Sequence, residues 1–167
     1  AMAHWAELIR LETGAAPRFN DSAADAAPPL DAALAFATAV LPQRSPSVEY
    51  PRAQAVVTDL QDTGWTLLRP GHGWELLFKS GVPCPNHLPP HVHSDQLSFE
   101  ICRHGRWLLS EAGTSIYGNG PERAYERSGA AHNVLQLGLE STPGAIRWIE
   151  PVDIWGGFRA GRKAQPR

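Results

Sequence analysis

At 167 residues the chain is the size of one ordinary domain and long enough to bury a real core. Its 15 basic and 17 acidic residues leave a net charge of −2, and the one basic run is the tail Arg159-Ala160-Gly161-Arg162-Lys163, so nucleic acid is not an expected partner. No stretch approaches the roughly 18 apolar residues needed to cross a bilayer, so membrane insertion is not expected. The start lacks the basic-then-apolar layout of a signal peptide. The cysteines, Cys84 and Cys102, neither demand nor exclude a disulfide.

Met2 to Leu11 carries apolar groups at Trp5, Leu8 and Ile9, the stripe of a helix packed on one side. Ala15 to Pro29 reads as a loop, with Phe19 its only large apolar side chain. Leu30 to Leu41 reads as a second helix, with Asp31 available to cap it and Pro42 to stop it. After a polar connector the period changes from 3.6 to 2. Ala55–Thr58, Gly64–Arg69 and Trp74–Ser80 are short strand-like runs parted by turn residues, an antiparallel meander. Pro70-Gly71-His72-Gly73 is a tight turn in which His72 is read as a solvent-facing turn residue. Gly81 to Pro90 is a proline-rich loop.

The chain is organised around His91-Val92-His93-Ser94-Asp95-Gln96-Leu97-Ser98-Phe99-Glu100-Ile101 and the hairpin that follows. Read as a strand from His91, its alternation places His91, His93, Asp95, Leu97, Phe99 and Ile101 on the core face and Glu100 on the other. Two registers are open for the hairpin. A two-residue turn at His104-Gly105 pairs Ser98 with Glu111 and turns Glu111 away from the histidines. A three-residue loop, His104-Gly105-Arg106, or a bulge sets Phe99 opposite Glu111 and brings that carboxylate to the histidine face. Thr114 to Gly129 reads as a polar, aromatic loop, Val134–Leu137 as a strand, and Ile146–Ile149 and Val152–Phe158 as β-like.

His93, Glu111 and His132 have the ligand types of a zinc site. A His-x-His pair is a weak signal, met more often by two half-buried histidines satisfied by backbone groups than by a metal site. A cupin barrel also uses His-x-His, a following Glu and a later His. Here, however, Glu100 follows His93 late and on the other face, and the Pro-x-Gly-x-x-His element is missing, so the cupin remains a minority alternative.

The order of the motifs is more specific than any one of them. Gly64-Trp-Thr-Leu-Leu-Arg69, the His91–Glu100 run, Gly105-Arg-Trp-Leu-Leu-Ser-Glu-Ala-Gly-Thr114, Tyr117, Arg123-Ala-Tyr-Glu-Arg127, Ala131-His-Asn133 and Ile154-Trp-Gly-Gly-Phe-Arg-Ala-Gly-Arg162 together resemble the C-terminal region of the heparinase II/III-like polysaccharide lyases. Phe19-Asn-Asp-Ser22 and its flanking helices resemble the end of the helical toroid that precedes it in that family. The resemblance implies a mainly β fold. Residues 1–45 would end an (α/α) toroid, and residues 46–167 would form an antiparallel β-sandwich truncated at its C-terminus.

The resemblance further implies cleavage of uronic-acid glycans by β-elimination, an acidic polysaccharide or oligosaccharide as partner, and a periplasmic or secreted setting. It assigns His91 to the catalytic cleft, His93, Glu111 and His132 to a structural zinc ion, and Tyr117, Arg123 and Tyr125 to substrate binding. Glu111 stands where the family has Asp in a Leu-Val-Asp-Pro-Gly-like run, a departure that keeps the charge and lengthens the side chain. Since most catalytic groups of the family sit on the toroid, this chain alone is expected to be inactive. The alternative from another class is a non-catalytic glycan-binding or structural sandwich, with Trp65, Trp74, Trp107 and Tyr117 as stacking surface.

Overall fold

The computed structural model of the chain describes residues 2–24, 27–41, 55–82 and 91–135. Two helices, α1 (Met2–Ile9) and α2 (Leu30–Val40), precede a sheet of β1 (Val56–Leu60), β2 (Trp65–Gly71), β3 (Trp74–Lys79), β4 (Phe99–Arg103) and β5 (Arg106–Leu109). The strands are antiparallel in sequence order, so the mainly β meander expected from the alternating runs is what forms. A short helix α3 (Pro121–Glu126) and a 3-10 turn (Gly129–Ala131) follow, where sequence alone read an unbroken loop. Pro121 at the first helical position, where no N–H is needed, explains why that helix starts there. Asp31 does not cap α2; Pro29 occupies the cap position, and Asp31 lies in the first turn, 3.3 Å from Arg10.

Both tight hairpins use two-residue turns with positive φ at each position, His72 (53°) with Gly73 (73°) and His104 (49°) with Gly105 (71°). That is the turn whose twist matches the flanking strands. The residues at 146–149 and 152–158 lie outside the described residues, as does Cys84. Val134 and Leu135, the described part of the run read as a strand, are not in a strand. Cys102 is free and buried.

One face of the sheet is covered by the segment that joins the two helices. Leu11 and Phe19 pack with Leu67, Leu77 and Cys102, with Trp65 and Trp107 at the margin. The Trp65 ring lies 5.4 Å from Trp5 on α1 and 5.3 Å, edge-on, from Phe19. Phe19, in a stretch that composition marks as a loop, is therefore a core residue.

That covering segment is irregular backbone with turns at 12–13 and 20–21, and the sheet meets it with polar side chains. On β3 the inward positions are Glu75, Leu77 and Lys79, while Trp74 is exposed and Leu76 and Phe78 are only partly covered. Glu75 accepts the backbone N–H of Glu12 (2.7 Å), Glu100 that of Arg18 (3.1 Å) and Asp95 that of Asn20 (3.0 Å). Lys79 joins Asp95 at 2.6 Å and the Asn20 side-chain oxygen at 2.7 Å. Burying backbone donors is tolerable only where they find acceptors, and here carboxylates supply them.

Candidate active site

The stretch from His91 to Ser98 is not the first half of a strand. The Ser98 N–H donates to the Asp95 carbonyl at 3.2 Å, and Leu97 turns into the left-handed region at φ 63°. This turn shifts the parity of everything after it. Glu100 and Cys102 become the fully buried side chains of β4, and Phe99 and Ile101 are only partly covered, the reverse of the expected faces. Before the turn, Val92, His93 and Asp95 are buried, Leu97 is 41% exposed and the His91 side chain is half exposed. Arg127 holds the segment from outside, its guanidinium donating to the Val92 carbonyl at 3.0 and 2.9 Å while its own carbonyl takes the Ser94 N–H.

Neither simple hairpin register holds by itself. The two-residue turn pairs Arg103 with Arg106 and Cys102 with Trp107, and a bulge then pairs Ile101 with Leu109. Continued past the end of β5, the shifted register sets Phe99 across from Glu111, so the bulge restores what the two-residue turn alone would lose. Glu111 is fully buried; one oxygen meets Nδ1 of His132 in a very short contact and the other accepts the Asn133 N–H at 2.8 Å. Gly113, at φ +66°, lets the next turn pass close to the joining segment. A side chain there would meet the Ser22 carbonyl oxygen at 2.2 Å, and the Thr114 N–H donates to that oxygen at 3.1 Å.

Four of the residues proposed from sequence converge on one residue that sequence reasoning did not single out, Asp21. Its Oδ2 lies 2.8 Å from His91 Nδ1, and its Oδ1 lies 2.7 Å from His93 Nε2 and 2.6 Å from the Arg123 guanidinium. The Tyr117 hydroxyl donates to the Asp21 carbonyl at 3.1 Å. Burial alone would raise the Asp21 carboxyl, but the His93 and Arg123 hydrogen bonds and the charge of Arg123 together hold it below the ordinary range. It is ionised at neutral pH. The only hint of it in the sequence was the Phe19-Asn-Asp-Ser22 run.

Arg123 is buried, bonded also to Thr114, with its guanidinium carbon 5.6 Å from the centre of the Tyr117 ring. Tyr117 itself is 62% exposed. Tyr125, on α3, is exposed and is not among the groups that meet Asp21. Trp65 and Trp107 are partly buried against the core, so of the aromatic surface considered from sequence only Tyr117 and Trp74 stand open, the latter under Arg103.

The His93 and His132 rings lie 5.3 Å apart between centroids. Burial outweighs the favourable Asp21 and Asp95 partners and pushes the His93 imidazole down to about 4, so the ring is neutral at pH 7. His93 Nδ1 and His132 Nε2 are both buried without a hydrogen-bond partner among the described residues. Such bare imidazole nitrogens fit a zinc ion by donor type, with the Glu111 carboxylate holding the other ring nitrogen of His132. Among the described residues, however, no group of three or more His, Cys, Asp or Glu is arranged to enclose a metal.

A family model described as heparinase II/III-like, C-terminal, matches residues 53–167. Among solved structures, the chain is similar to the heparinase III BT4657 gene product. The two share 17% identity at a TM-score of 0.60, over 81% of this chain and 23% of that one. It is also similar to heparan sulfate lyase HepC from Pedobacter heparinus, at 18% identity and a TM-score of 0.59, over 84% of this chain and 23% of that one. The chain thus spans less than a quarter of the length of either structure. No match is found among curated proteins. With the family model matching well over half its length, the chain belongs to the heparinase II/III-like family and carries that family's C-terminal region.

Proposed function

We propose that this chain is the sandwich part of a polysaccharide lyase that cleaves uronic-acid-containing glycans by β-elimination in a periplasmic or secreted setting. The observation that carries the reading is the convergence of His91, His93, Tyr117 and Arg123, from three separate segments, on Asp21. Heparan sulfate, after which the similar lyase from Pedobacter heparinus is named, is a substrate of this class.

Elimination removes the proton at C5 of a uronate while charge builds on the adjacent carboxylate and O4 departs. The site must therefore neutralise that carboxylate and move a proton. The half-exposed His91 is the chain's contribution to proton transfer or neutralisation at the open surface. Tyr117 offers a ring face to the sugar, with Arg123 supporting it from beneath, and Tyr125 extends the aromatic surface. The remaining acid–base groups are assigned to a helical toroid preceding this chain.

His93, Glu111 and His132 would hold zinc. The ion would supply a fixed charge that locks the His91–Asp95 turn against the loop after β5. The expected result for the purified chain is near-stoichiometric zinc by elemental analysis, lost in His93→Ala. Metal-free wild-type protein that keeps its fold would remove the zinc assignment. The elimination itself is tested by product. A protein carrying this chain joined to its toroid should generate an unsaturated uronate from an acidic glycan and leave a neutral one untouched.

A further inference from the structure

The segment joining α1 and α2 is placed by the sheet, since its N–H groups at Glu12, Arg18 and Asn20 end on side chains of β3, β4 and the turn before β4. The residue delivered by this arrangement is Asp21, whose two oxygens divide their work. Oδ1 satisfies His93 and Arg123, and among the described residues Oδ2 meets His91 alone. An ion pair with the buried Arg123 needs only the first oxygen. A half-exposed histidine adds little stability through the second.

We propose that Asp21 is the positioning residue for His91: it accepts the Nδ1 proton, fixes the ring's orientation and tautomer, and leaves Nε2 unprotonated toward the open side. This inference rests on the reading of His91 as a cleft residue. A neutral imidazole carries one proton, and the partner of one ring nitrogen decides what the other can do. With a carboxylate at Nδ1, the free Nε2 is a ready acceptor, and any positive charge that develops on the ring is stabilised where it forms. The joining segment is thereby a working part of the site as well as a cover for the core, and Gly113, with the Thr114 bond to Ser22, holds its far end.

The test reads His91 directly. Long-range proton–nitrogen NMR of the wild-type chain, at a pH where the ring is neutral, should show His91 as the Nδ1–H tautomer. Asp21→Ala should abolish that signature. Because Asp21→Ala also leaves Arg123 without its buried partner, Asp21→Asn, which keeps the shape and one acceptor oxygen, is the second variant and should give a mixed tautomer. In the lyase containing this chain, Asp21→Asn should lower kcat on the order of 10²-fold with KM changed only a few-fold. An unchanged His91 tautomer in folded Asp21 variants overturns the proposal, as does an altered tautomer with unchanged kcat. If the wild-type lyase yields no unsaturated uronate, the elimination reading fails by itself, and the NMR result still decides whether Asp21 sets the ring.

Discussion

Replacing Lys79 with methionine should destabilise the protein by about 3–5 kcal/mol, because it removes one partner of a buried ion pair and keeps the other. The Lys79 and Asp95 side chains are 3% and 0% exposed, and their charged atoms lie 2.6 Å apart. Methionine fills most of the same volume, so little of the loss will come from a cavity. Asp95 would keep the Asn20 N–H as its hydrogen-bond donor, but its compensating charge would be gone. The joining segment loses a second hold at the same time, since Lys79 also donates to the Asn20 side chain. Chemical denaturation checks the size of the effect. A change below about 1 kcal/mol would mean that the pair is dispensable for the fold.

The second large effect is a pH dependence centred on Glu100. Its carboxyl is fully buried, and burial raises it from 4.5 to about 7 against the opposing pull of the Arg18 and Glu111 N–H groups. The folded protein therefore holds a proton between those two values that the unfolded chain has released. Stability from this group is fully present below pH 4.5 and is lost as pH rises to about 7, by an amount on the order of 2–3 kcal/mol. Glu100→Gln keeps an oxygen for the two N–H groups and has no proton to lose. Denaturation curves across that pH range should fall for the wild type relative to the variant, and above pH 7 the variant should be the more stable. Parallel curves would show that Glu100 does not titrate there.

The family's order of motifs, the meander and the hairpin were legible in the sequence, from spacing and resemblance. The departures have distinct physical origins, the first of them in the joining segment. Alternation arguments assume that the covered face of a strand is apolar. Here the cover is irregular backbone, whose N–H groups call for acceptors, so Glu75, Lys79 and Glu100 are buried and Trp74 is not. The face assignment from His91 to Ile101 failed for a separate, local reason. The left-handed Leu97, a conformation seldom adopted by a γ-branched apolar residue, inserts a turn that no residue type announces. Asp21 was missed because it lies 70 residues from His91, in a stretch whose composition marks it as a connector.

The elimination reading depends most directly on the chemistry of His91. The decisive measurement is the rate at which unsaturated uronate appears, by its ultraviolet absorbance, when an acidic glycan is incubated with a protein carrying this chain joined to a helical toroid and with its His91→Ala variant. The expected result is product from the wild type and a fall on the order of 10²-fold or more in the variant, with the fold intact. An undiminished rate in His91→Ala would contradict the role given to this histidine and leave the region a scaffold for chemistry done elsewhere.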